Sequence, residues 1–315
     1  MQDILLSIYI PTYNRADKVV KQINYVLDEI KGLDTSKIEI VVNNNCSTDD
    51  TEQKVLSVIE GMPVTYHRNE SNLGIVGNAY AAVKLVHGKY FWMISDDDEI
   101  CTGAIRRVYE LINSNPKISY VYLNYSNMIN IEEPIYDGPS GLIENGAKLI
   151  INQKVDKIGV LMLSTSSIYL KEGLEKTVRD LPLSECESYG WSEYAALASI
   201  KMGFAYFDGQ IWVHMDAQNK SWKNIEYYAR MGSIRMFERL TNIGYTKSDI
   251  AIIYNSYISV NIIAEQIIWL LKEKKFKMFL SNFFFCFRKA PVKVICICFS
   301  LLFKCFTLLL KKLKI

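Results

Sequence analysis

Residues 89–99 read KYFWMISDDDE, an apolar run that ends in a cluster of acidic residues. Its first seven residues are mostly bulky and apolar, which is typical of a buried β-strand. Three consecutive carboxylates, Asp96, Asp97 and Asp98, follow directly. Adjacent carboxylates repel one another, so the triplet indicates a neutralising ligand, and hard oxygen donors suit Mg²⁺ or Mn²⁺. The alternative interpretation is a polar loop whose Asp residues cap a helix at about 102–114.

Upstream of this strand, apolar β-rich runs alternate with segments of helical periodicity. Val19, Ile23 and Val26, for example, recur on one face of the first predicted helix. Such alternation predicts an α/β protein with a parallel sheet covered by helices, whose polar loops meet at the carboxyl ends of the strands. The predicted strands are 4–10, 37–43, 63–67 and 89–95, and the predicted helices are 16–31, 50–60 and 75–87.

The second half of the chain is less regular and contains no internal repeat. We expect a main α/β domain over residues 1–220, a helical appendage over 221–275 and a C-terminal tail over 276–315. The predicted strands here are 118–125, 158–170 and 204–214, separated by a loop-like stretch at 126–142, and the predicted helices are 191–202, 224–242 and 247–273.

The tail combines basic and apolar residues. It holds eight Lys or Arg and no Asp or Glu, which leaves a net charge of −6 for the rest of a chain whose total is +2. Residues 294–310 are apolar apart from a few polar positions, which fall on one stripe at about 100° per residue. We expect a helix in the membrane interface with its lysines toward lipid phosphates; a core-packing or oligomer-forming helix is the alternative. The stripe comprises Lys289, Lys293, Ser300, Lys304, Thr307 and Lys311.

Cysteine usage and the first residues bear on the cellular compartment. The seven cysteines lack the paired spacing that a zinc site needs, and we interpret them as reduced thiols of a cytoplasmic protein. No signal-peptide pattern precedes the first predicted strand. We therefore expect a peripheral or monotopic protein on the cytoplasmic face of the cell membrane, with no nucleic acid among its partners.

Three blocks of sequence occur in the order and spacing of a known family. They are SIYIPTYNR (7–15), EIVVNNNCSTDDT (39–51) and NLGIVGNAYAAVKLVHGKYFWMISDDDE (72–99), and they resemble the family 2 glycosyltransferases. The resemblance implies the GT-A fold, a mixed sheet flanked by helices, here followed by the C-terminal helical appendage. It also implies a catalytic domain that transfers a sugar from a nucleotide-sugar donor, by preference a UDP-sugar, to a lipid-linked or cell-surface glycan. The transfer would be inverting and would depend on Mn²⁺ or Mg²⁺.

On this resemblance, Asp96 and Asp98 form the family's D-x-D motif. Asp98 would ligate the metal ion that bridges the two donor phosphates. Asp96 would face the ribose or help to hold the metal. Asp97, which lies between them, is counted among the donor contacts, but the resemblance assigns it no specific role.

The other blocks supply the remaining donor contacts. Thr12 and Tyr13 would touch the base and the ribose, and a tyrosine ring can stack on a nucleobase. Asn44 stands where many relatives have Asp, and its side-chain oxygen would accept the uracil N–H without charge assistance. Asn78 stands where relatives often carry Arg or Lys, which leaves more diphosphate charge to the metal and other groups. The predicted set is Pro11, Thr12, Tyr13, Asn14, Asn44, Asn72, Gly74, Asn78, Asp96 and Asp97.

Inverting transfer needs a base for the acceptor hydroxyl. The segment WSEYAALASIKMG (191–203) best matches the family's Glu-Asp block, and Glu193 is the predicted base, with Glu185 and Glu187 as fallbacks. The alternative for Glu193 is a carboxylate that the helix dipole favours at a helix N-terminus. His214 is a candidate third metal ligand. Three residues that could fold over the phosphates are Lys220, Ser221 and Lys223.

Two other functions are compatible with parts of the sequence. A sugar-nucleotide pyrophosphorylase shares this kind of sheet, but that class opens with a Gly-rich loop and PTYNR (11–15) has no Gly. A catalytically degenerate nucleotide-binding membrane scaffold is allowed by the departures at Asn44, Asn78 and Ser192, although the intact D-x-D motif argues against it. The Q-x-x-R-W motif of processive synthases is absent, which favours transfer of one sugar per encounter.

Overall fold

The computed structural model of the chain describes residues 3–152, 161, 163–183, 190–216, 234–258, 263–264 and 276–313. Its strands are β1 (Leu6–Thr12), β2 (Ile38–Asn44), β3 (Val64–Arg68), β4 (Tyr90–Met93), β5 (Glu99–Ile100), β6 (Ile118–Asn127), β7 (Gly141–Ile143), β8 (Ser167–Leu170) and β9 (Phe204–Met215). Its α-helices are α1 (Ala16–Glu29), α2 (Thr51–Ile59), α3 (Gly74–Leu85), α4 (Ala104–Ser114), α5 (Gly146–Asn152), α6 (Lys171–Asp180), α7 (Gly190–Ile200), α8 (Lys247–Tyr257), α9 (Phe276–Lys289) and α10 (Pro291–Leu313).

The strands of the described residues form one mixed sheet. Its order is β3-β2-β1-β4-β8-β6-β9-β5, with β7 paired to β9. β1 runs parallel to both β2 and β4, and β2 runs parallel to β3. β8 lies antiparallel between β4 and β6, so the sheet becomes mixed at this point. The predicted α/β architecture, with a mixed sheet and C-terminal helices, is confirmed.

The central strands are buried on both faces, which explains their continuous apolar sequences. Ile8, Ile10 and Trp92 are fully buried, as expected for parallel strands covered by helices on either side. Aromatic rings also pack side by side across the sheet, with centroids 5.9 Å apart for Tyr9 and Phe91 and 6.2 Å apart for Phe91 and Tyr169. These contacts join β1, β4 and β8 into one rigid layer.

The carboxyl ends of β1, β2 and β4 meet at one edge of this layer. Thr12, the last residue of β1, lies opposite Asn44, the last residue of β2. The backbone N–H of Ile94, just after β4, donates to the carbonyl of Tyr9 in β1. The parallel register therefore brings the acidic triplet at residues 96–98 beside the turn that follows β1.

The predicted boundaries differ from the structure mainly in the second half. The predicted strand 158–170 is reduced to β8, while residues 153–160 and 162 lie outside the described residues. The predicted helix 247–273 is interrupted: α8 ends at Tyr257, Ile258 is extended with φ −71° and ψ 100°, and residues 263–264 are again helical. Residues 259–262 and 265–275 lie outside the described residues. Within the predicted helix 224–242, residues 224–233 are outside the described residues and Phe237–Ile243 forms a 3-10 helix. Helix α6 was not predicted, because its charged sequence has only two apolar side chains, Leu174 and Val178, which is too few to show a helical periodicity.

Helices α9 and α10 pack against the segment 234–258. Cys286 and Val294 are fully buried. The guanidinium of Arg235 donates to the side-chain oxygen of Asn282 at 2.9 Å. The Phe285 and Tyr254 rings lie 6.1 Å apart in an edge-to-face arrangement. The C-terminal helices therefore share the hydrophobic core of the protein.

Two lysines of the predicted stripe differ from the expected orientation, while Ser300 of the same stripe is exposed and the side chains of Lys304, Thr307 and Lys311 lie outside the described part of the structure. Lys289 pairs with Glu238, and the ammonium group of Lys293 donates to the backbone carbonyl of Asn255. These two lysines thus face the protein, and the expectation that they point outward to lipid is wrong. No helix among the described residues is both long enough and apolar enough to cross a membrane.

Candidate active site at the carboxyl ends of the strands

The turn after β1 is held against the loop after β2. Asn14 has a positive φ of 52°, a conformation that Asn tolerates better than most residues. Its backbone N–H donates to the Ser47 hydroxyl, and its side-chain oxygen accepts from the backbone N–H of Thr48, both at 2.8 Å. Asn14 therefore shapes this turn, while the neighbouring Tyr13 is 40% exposed and free to meet a flat ligand.

Arg15 connects this turn to the acidic triplet. Its Nη1 atom lies 2.7 Å from Asp96 Oδ1 and 2.6 Å from Asp97 Oδ2. The hydroxyl of Thr12 donates to the other oxygen of Asp96 at 2.7 Å, and the Ser95 hydroxyl bonds to Asp97. Asp96 and Asp97 are thus both bound by groups from their own edge of the sheet.

Burial and mutual repulsion govern the ionisation of this cluster. Burial raises the pKa of Asp96, and the Asp97 charge adds to this, while the Arg15 charge opposes it. Burial alone would lower the pKa of Arg15, but the charges of Asp96 and Asp97 outweigh it and raise that pKa. The cluster is therefore a place where negative charge is costly and a cation is stabilising.

Asp98 is the least compensated of the three carboxylates. Its Oδ2 accepts from the Thr165 hydroxyl at 2.6 Å, and its Oδ1 accepts from the backbone N–H of Asp216 at 3.2 Å. Burial, followed by the charge of Asp97, raises the pKa of Asp98 to about 7. Within the described part of the chain Asp98 has no ion-pair partner, so a cation bound here would remove an uncompensated buried charge.

A network of buried amides lies beneath the neighbouring loops. Asn43 donates to the side-chain oxygen of Asn78 at 2.7 Å, and Asn69 donates to the same oxygen at 3.0 Å. Asn69 also donates to Asn45, and Asn45 donates in turn to Asn72, each at 2.9 Å. Asn78 is therefore a structural member of this network, and Asn72 connects the network to the start of α3.

Three further predicted donor contacts lie in or beside these loops. Asn44 is fully buried; its side-chain oxygen accepts from the backbone N–H of Ser47 at 2.8 Å, and its amide donates to the Tyr66 hydroxyl at 2.9 Å. Gly74 begins α3 with a φ of +70°, a conformation that other residues rarely adopt. Pro11 continues β1 toward the site opposite Asn43. The contacts of these residues with a donor remain predictions.

His214 lies opposite Glu99 in the β5–β9 pair, next to the acidic triplet, and its ring bonds to other side chains. Its Nδ1 lies 2.7 Å from the Ser126 hydroxyl, and its Nε2 lies 3.5 Å from the Cys101 sulfur. Over the described ranges, no three His, Cys, Asp or Glu side chains form a group that could hold a metal ion. The assignment of Asp96, Asp98 and His214 as metal ligands stays a prediction, and in the metal-free protein His214 bonds to neighbours other than the two carboxylates.

Glu193 lies in the first turn of α7 and is fully buried. The Tyr257 hydroxyl is 3.4 Å from its Oε1 atom. Burial raises the pKa of Tyr125, and the charges of both Asp98 and Glu193 raise it further. The role of Glu193 as the base for the acceptor hydroxyl stays a prediction. The fallback candidates Glu185 and Glu187, and the three residues 220, 221 and 223, lie outside the described residues.

Sequence reasoning missed two residues of this site. In the sequence Arg15 stands out only as the last residue of the first matching block, and Thr165 carries no signal, because it lies 67 positions from its partner Asp98. Thr165 is held by Trp92, whose indole N–H donates to its carbonyl at 2.8 Å, and its hydroxyl accepts from the Ser95 N–H. A charged residue directly after a predicted binding turn was the one available clue to Arg15.

The mixed sheet and the acidic triplet at the carboxyl ends of its strands agree with a comparison of the sequence with known protein families. Residues 7–177, more than half of the chain, match the model of glycosyl transferase family 2, and the chain therefore belongs to this family. The abequosyltransferase RfbV of Salmonella typhimurium is 34% identical over 118 residues, which cover 36% of this chain and 34% of RfbV. GalNAc(5)-diNAcBac-PP-undecaprenol beta-1,3-glucosyltransferase of Campylobacter jejuni is 28% identical over 110 residues, 34% of each chain. The chain thus matches about a third of the length of these two relatives.

Solved structures show the same fold. S. aureus TarS 1-349 superposes with a TM-score of 0.66 at 16% identity, covering 93% of this chain and 83% of TarS 1-349. The same fragment in complex with UDP-GlcNAc gives a TM-score of 0.62 at 13% identity, over 93% of this chain and 84% of the fragment. Mannosyltransferase PcManGT of Pyrobaculum calidifontis, in complex with GDP-Man and Mn²⁺, gives 0.58 at 11% identity, over 96% and 88% of the two chains. At these identities the likeness concerns the fold, and it confirms the GT-A architecture.

Proposed function

We propose that this chain transfers a sugar from a nucleoside-diphosphate sugar to a hydroxyl group of a lipid-linked or cell-surface glycan. The observation that carries the proposal is the triplet 96–98 at the carboxyl end of β4, two of whose carboxylates are buried and one of which has no described counter-ion. A cation with a bound diphosphate would satisfy it. The complex of TarS with UDP-GlcNAc supports a UDP-sugar as the first donor to test.

A divalent cation fits the residues present. Asp98 and Asp96 offer hard carboxylate oxygens, which suit Mn²⁺ or Mg²⁺, and the donor's phosphate oxygens would complete the coordination. When bound, the metal would stabilise the negative charge of the departing diphosphate. The presence of Mn²⁺ in the PcManGT complex supports this assignment. Arg15, now bound to Asp96 and Asp97, is a cation of the protein itself that lies within reach of the same charge.

Glu193 is the proposed base for the acceptor hydroxyl. It is fully buried in the first turn of α7, and the Tyr257 hydroxyl lies 3.4 Å from its Oε1 atom. A carboxylate that takes the acceptor proton while the diphosphate leaves on the opposite face gives inversion at the anomeric carbon. We propose transfer of one sugar per encounter, in line with the absence of the processive motif.

The acceptor is proposed to lie at a membrane surface, on the cytoplasmic face. The name of the Campylobacter jejuni relative specifies an undecaprenol-linked acceptor. The basic and apolar character of residues 276–315 supports contact with an anionic surface. The sugar, the linkage and the identity of the lipid remain for experiment.

The test is donor turnover by the purified full chain in detergent, with Mn²⁺, against a panel of UDP-, GDP- and dTDP-sugars. We expect nucleotide release that EDTA abolishes and that Asp98→Asn lowers at least about 100-fold, because the metal loses a ligand. Asp28→Asn, an exposed carboxylate paired with Lys31, is the matched control and should be unchanged. Glu193→Gln should lower kcat about 100-fold or more while UDP affinity, measured by calorimetry, stays within about threefold.

Other results would change the proposal. If the protein binds UDP but turns over none of the donors, whichever lipid-linked acceptor is added, the nucleotide-binding scaffold is favoured. Pyrophosphate formation from a nucleoside triphosphate and a sugar phosphate would assign a pyrophosphorylase. Turnover that survives EDTA and Asp98→Asn would remove the metal from the proposal but leave the transferase.

A further inference from the structure

The last two helices leave an apolar face outside the packed body. On α10 the exposed positions recur at i, i+3, i+4 and i+7, which places them on one side of the helix. Phe299 and Phe303 are each 69% exposed. The opposite side of the same helix, with Val294 and Ile297, is buried against the protein. The apolar residues of the exposed side of α10 are Val292, Ile295, Phe299, Leu302 and Phe303, and Phe284 and Phe287 are exposed on the neighbouring helix α9.

This concentration of exposed aromatic rings is unusual for the molecule. Among the described residues, every Phe that is more than about a third exposed lies in α9 or α10. Phe91, Phe207 and Phe237, in contrast, are almost fully buried in the main body. A contiguous exposed apolar patch marks a surface that meets another apolar phase.

The charges around the face indicate what that phase is. Lys277 and Arg288 are exposed on α9, and residues 276–315 contain no acidic residue. The remaining chain carries a net charge of −6, so an anionic surface would repel the body and attract only this segment. A second copy of the tail would present the same positive charge and repel it. Basic residues beside exposed aromatic and aliphatic side chains fit an anionic lipid bilayer.

We propose that α9 and α10 dock the protein on an anionic bilayer with the face of Phe284, Phe287, Phe299 and Phe303 inserted at the level of the headgroups. Lys289 and Lys293, which bond to the protein, face away from the lipid in this arrangement. The orientation therefore differs from that of a helix that lays Lys289 and Lys293 on the lipid phosphates. The biological role of this docking rests on the proposed membrane-surface acceptor, but lipid binding itself can be measured without donor or acceptor.

The first experiment is flotation of the full chain with vesicles of phosphatidylcholine, either alone or with about 30% phosphatidylglycerol. We expect binding to the anionic vesicles, and the double change Phe299→Ser and Phe303→Ser should lower the partition coefficient about tenfold or more. The matched control is Ile129→Ser with Ile131→Ser, which removes two exposed apolar side chains of the main body, 75% and 54% exposed. The control should bind as the wild type does.

Two double variants, each of which removes two positive charges, test which side of α9 and α10 faces the lipid. Lys277→Gln with Arg288→Gln removes two outward-facing charges, and Lys289→Gln with Lys293→Gln removes two that face the protein. We expect the first pair to weaken binding to anionic vesicles roughly tenfold or more and the second less than about threefold. Equal losses in the two pairs, or a larger loss in the second, would overturn the orientation.

Two further outcomes would overturn the docking proposal itself. One is absence of wild-type binding to anionic vesicles. The other is a dimer in sedimentation velocity that Phe299→Ser with Phe303→Ser dissociates while vesicle binding is unchanged, which would assign the face to contact between copies. Thermal unfolding followed by circular dichroism checks that each variant is folded. A negative turnover assay would leave these results untouched, so failure of the transferase proposal and failure of docking are distinguishable.

Discussion

Arg15 is the residue on which the charge balance of the site depends. It bonds to Asp96 and Asp97 with a side chain that is only 31% exposed, whereas Asp98 beside them lacks a described counter-ion. A guanidinium and a divalent cation would thus compete for the same carboxylate cluster or divide it between them. Asn78, which stands where relatives often carry a cation, is uncharged and belongs to the amide network. The positive charge that contacts Asp96 and Asp97 is that of Arg15.

Replacing Arg15 by Gln should therefore destabilise the metal-free protein more than the metal-loaded one. Without metal we expect a loss of about 1–3 kcal/mol in the free energy of unfolding, since partly buried carboxylates lose their partner. Saturating Mn²⁺ should reduce this loss, because the metal neutralises the same charges. Denaturant unfolding with and without Mn²⁺ measures both values.

Lys31→Gln, at an exposed pair with Asp28, is the control and should change the free energy of unfolding by less than about 0.5 kcal/mol. An equal loss for Arg15→Gln with and without Mn²⁺ would mean that Arg15 acts only as a structural ion pair.

At the scale of elements, the register of β4 against β1 carries the acidic triplet to the site. The loop that feeds β4 lies tightly on β1, and the Gly88 N–H donates to the Ser7 hydroxyl at 2.8 Å. A Cβ atom on Gly88 would lie 2.7 Å from the backbone nitrogen of Ser7 and 3.0 Å from the carbonyl carbon of Leu6. This contact is with backbone, so no side-chain rotation can relieve it.

Gly88→Ala should consequently lower the free energy of unfolding by about 1–3 kcal/mol. Affinity for UDP with Mn²⁺ should fall as well, because a shift of β4 displaces Asp96 and Asp98 from the turn after β1. Denaturant unfolding and calorimetry measure the two effects. Lys84→Ala, on the exposed side of α3, should stay within about 0.5 kcal/mol of the wild type. Unchanged stability of Gly88→Ala would show that the β1–β4 contact is looser than the structure indicates.

At the scale of the whole molecule, the C-terminal helices belong to the folded body. Cys286, Val294 and Ile297 are buried, and the Phe285 ring packs on Tyr254, which itself packs on Phe237. Truncation before α9 would therefore uncover apolar surface on the segment 234–258.

A chain that ends at residue 275 should unfold about 10 °C or more below the full chain and should aggregate, since several buried side chains are lost together. Thermal unfolding and size-exclusion chromatography measure this. Phe299→Ser with Phe303→Ser in the full chain changes only exposed residues and should unfold within about 2 °C of the wild type. A truncated protein that is monomeric and equally stable would show that α9 and α10 are dispensable for folding.

Local sequence was sufficient for much of the sheet and for the place of the triplet. Residues 4–10, 37–43 and 89–95 combine bulky apolar side chains with a polar stop, a pattern set by neighbours in the chain, and the structure has β1, β2 and β4 there. The position of Asp96–Asp98 at the end of a strand follows from the same pattern. Short edge strands such as β5 and β7 lack this periodicity, and only their pairing with β9 defines them.

The sequence by itself thus determined the strand–helix order, the acidic triplet and the family to which the chain belongs. Tertiary structure decided which partners those residues have: Arg15 meets Asp96 across 81 positions and Thr165 meets Asp98 across 67. Tertiary structure also places Asn78 in the buried amide network, and it brings Lys289 and Lys293 into contact with the protein. The physical reason is that periodicity reports which face of an element is apolar, whereas a salt bridge or a buried amide contact depends on which distant elements the packed sheet brings together.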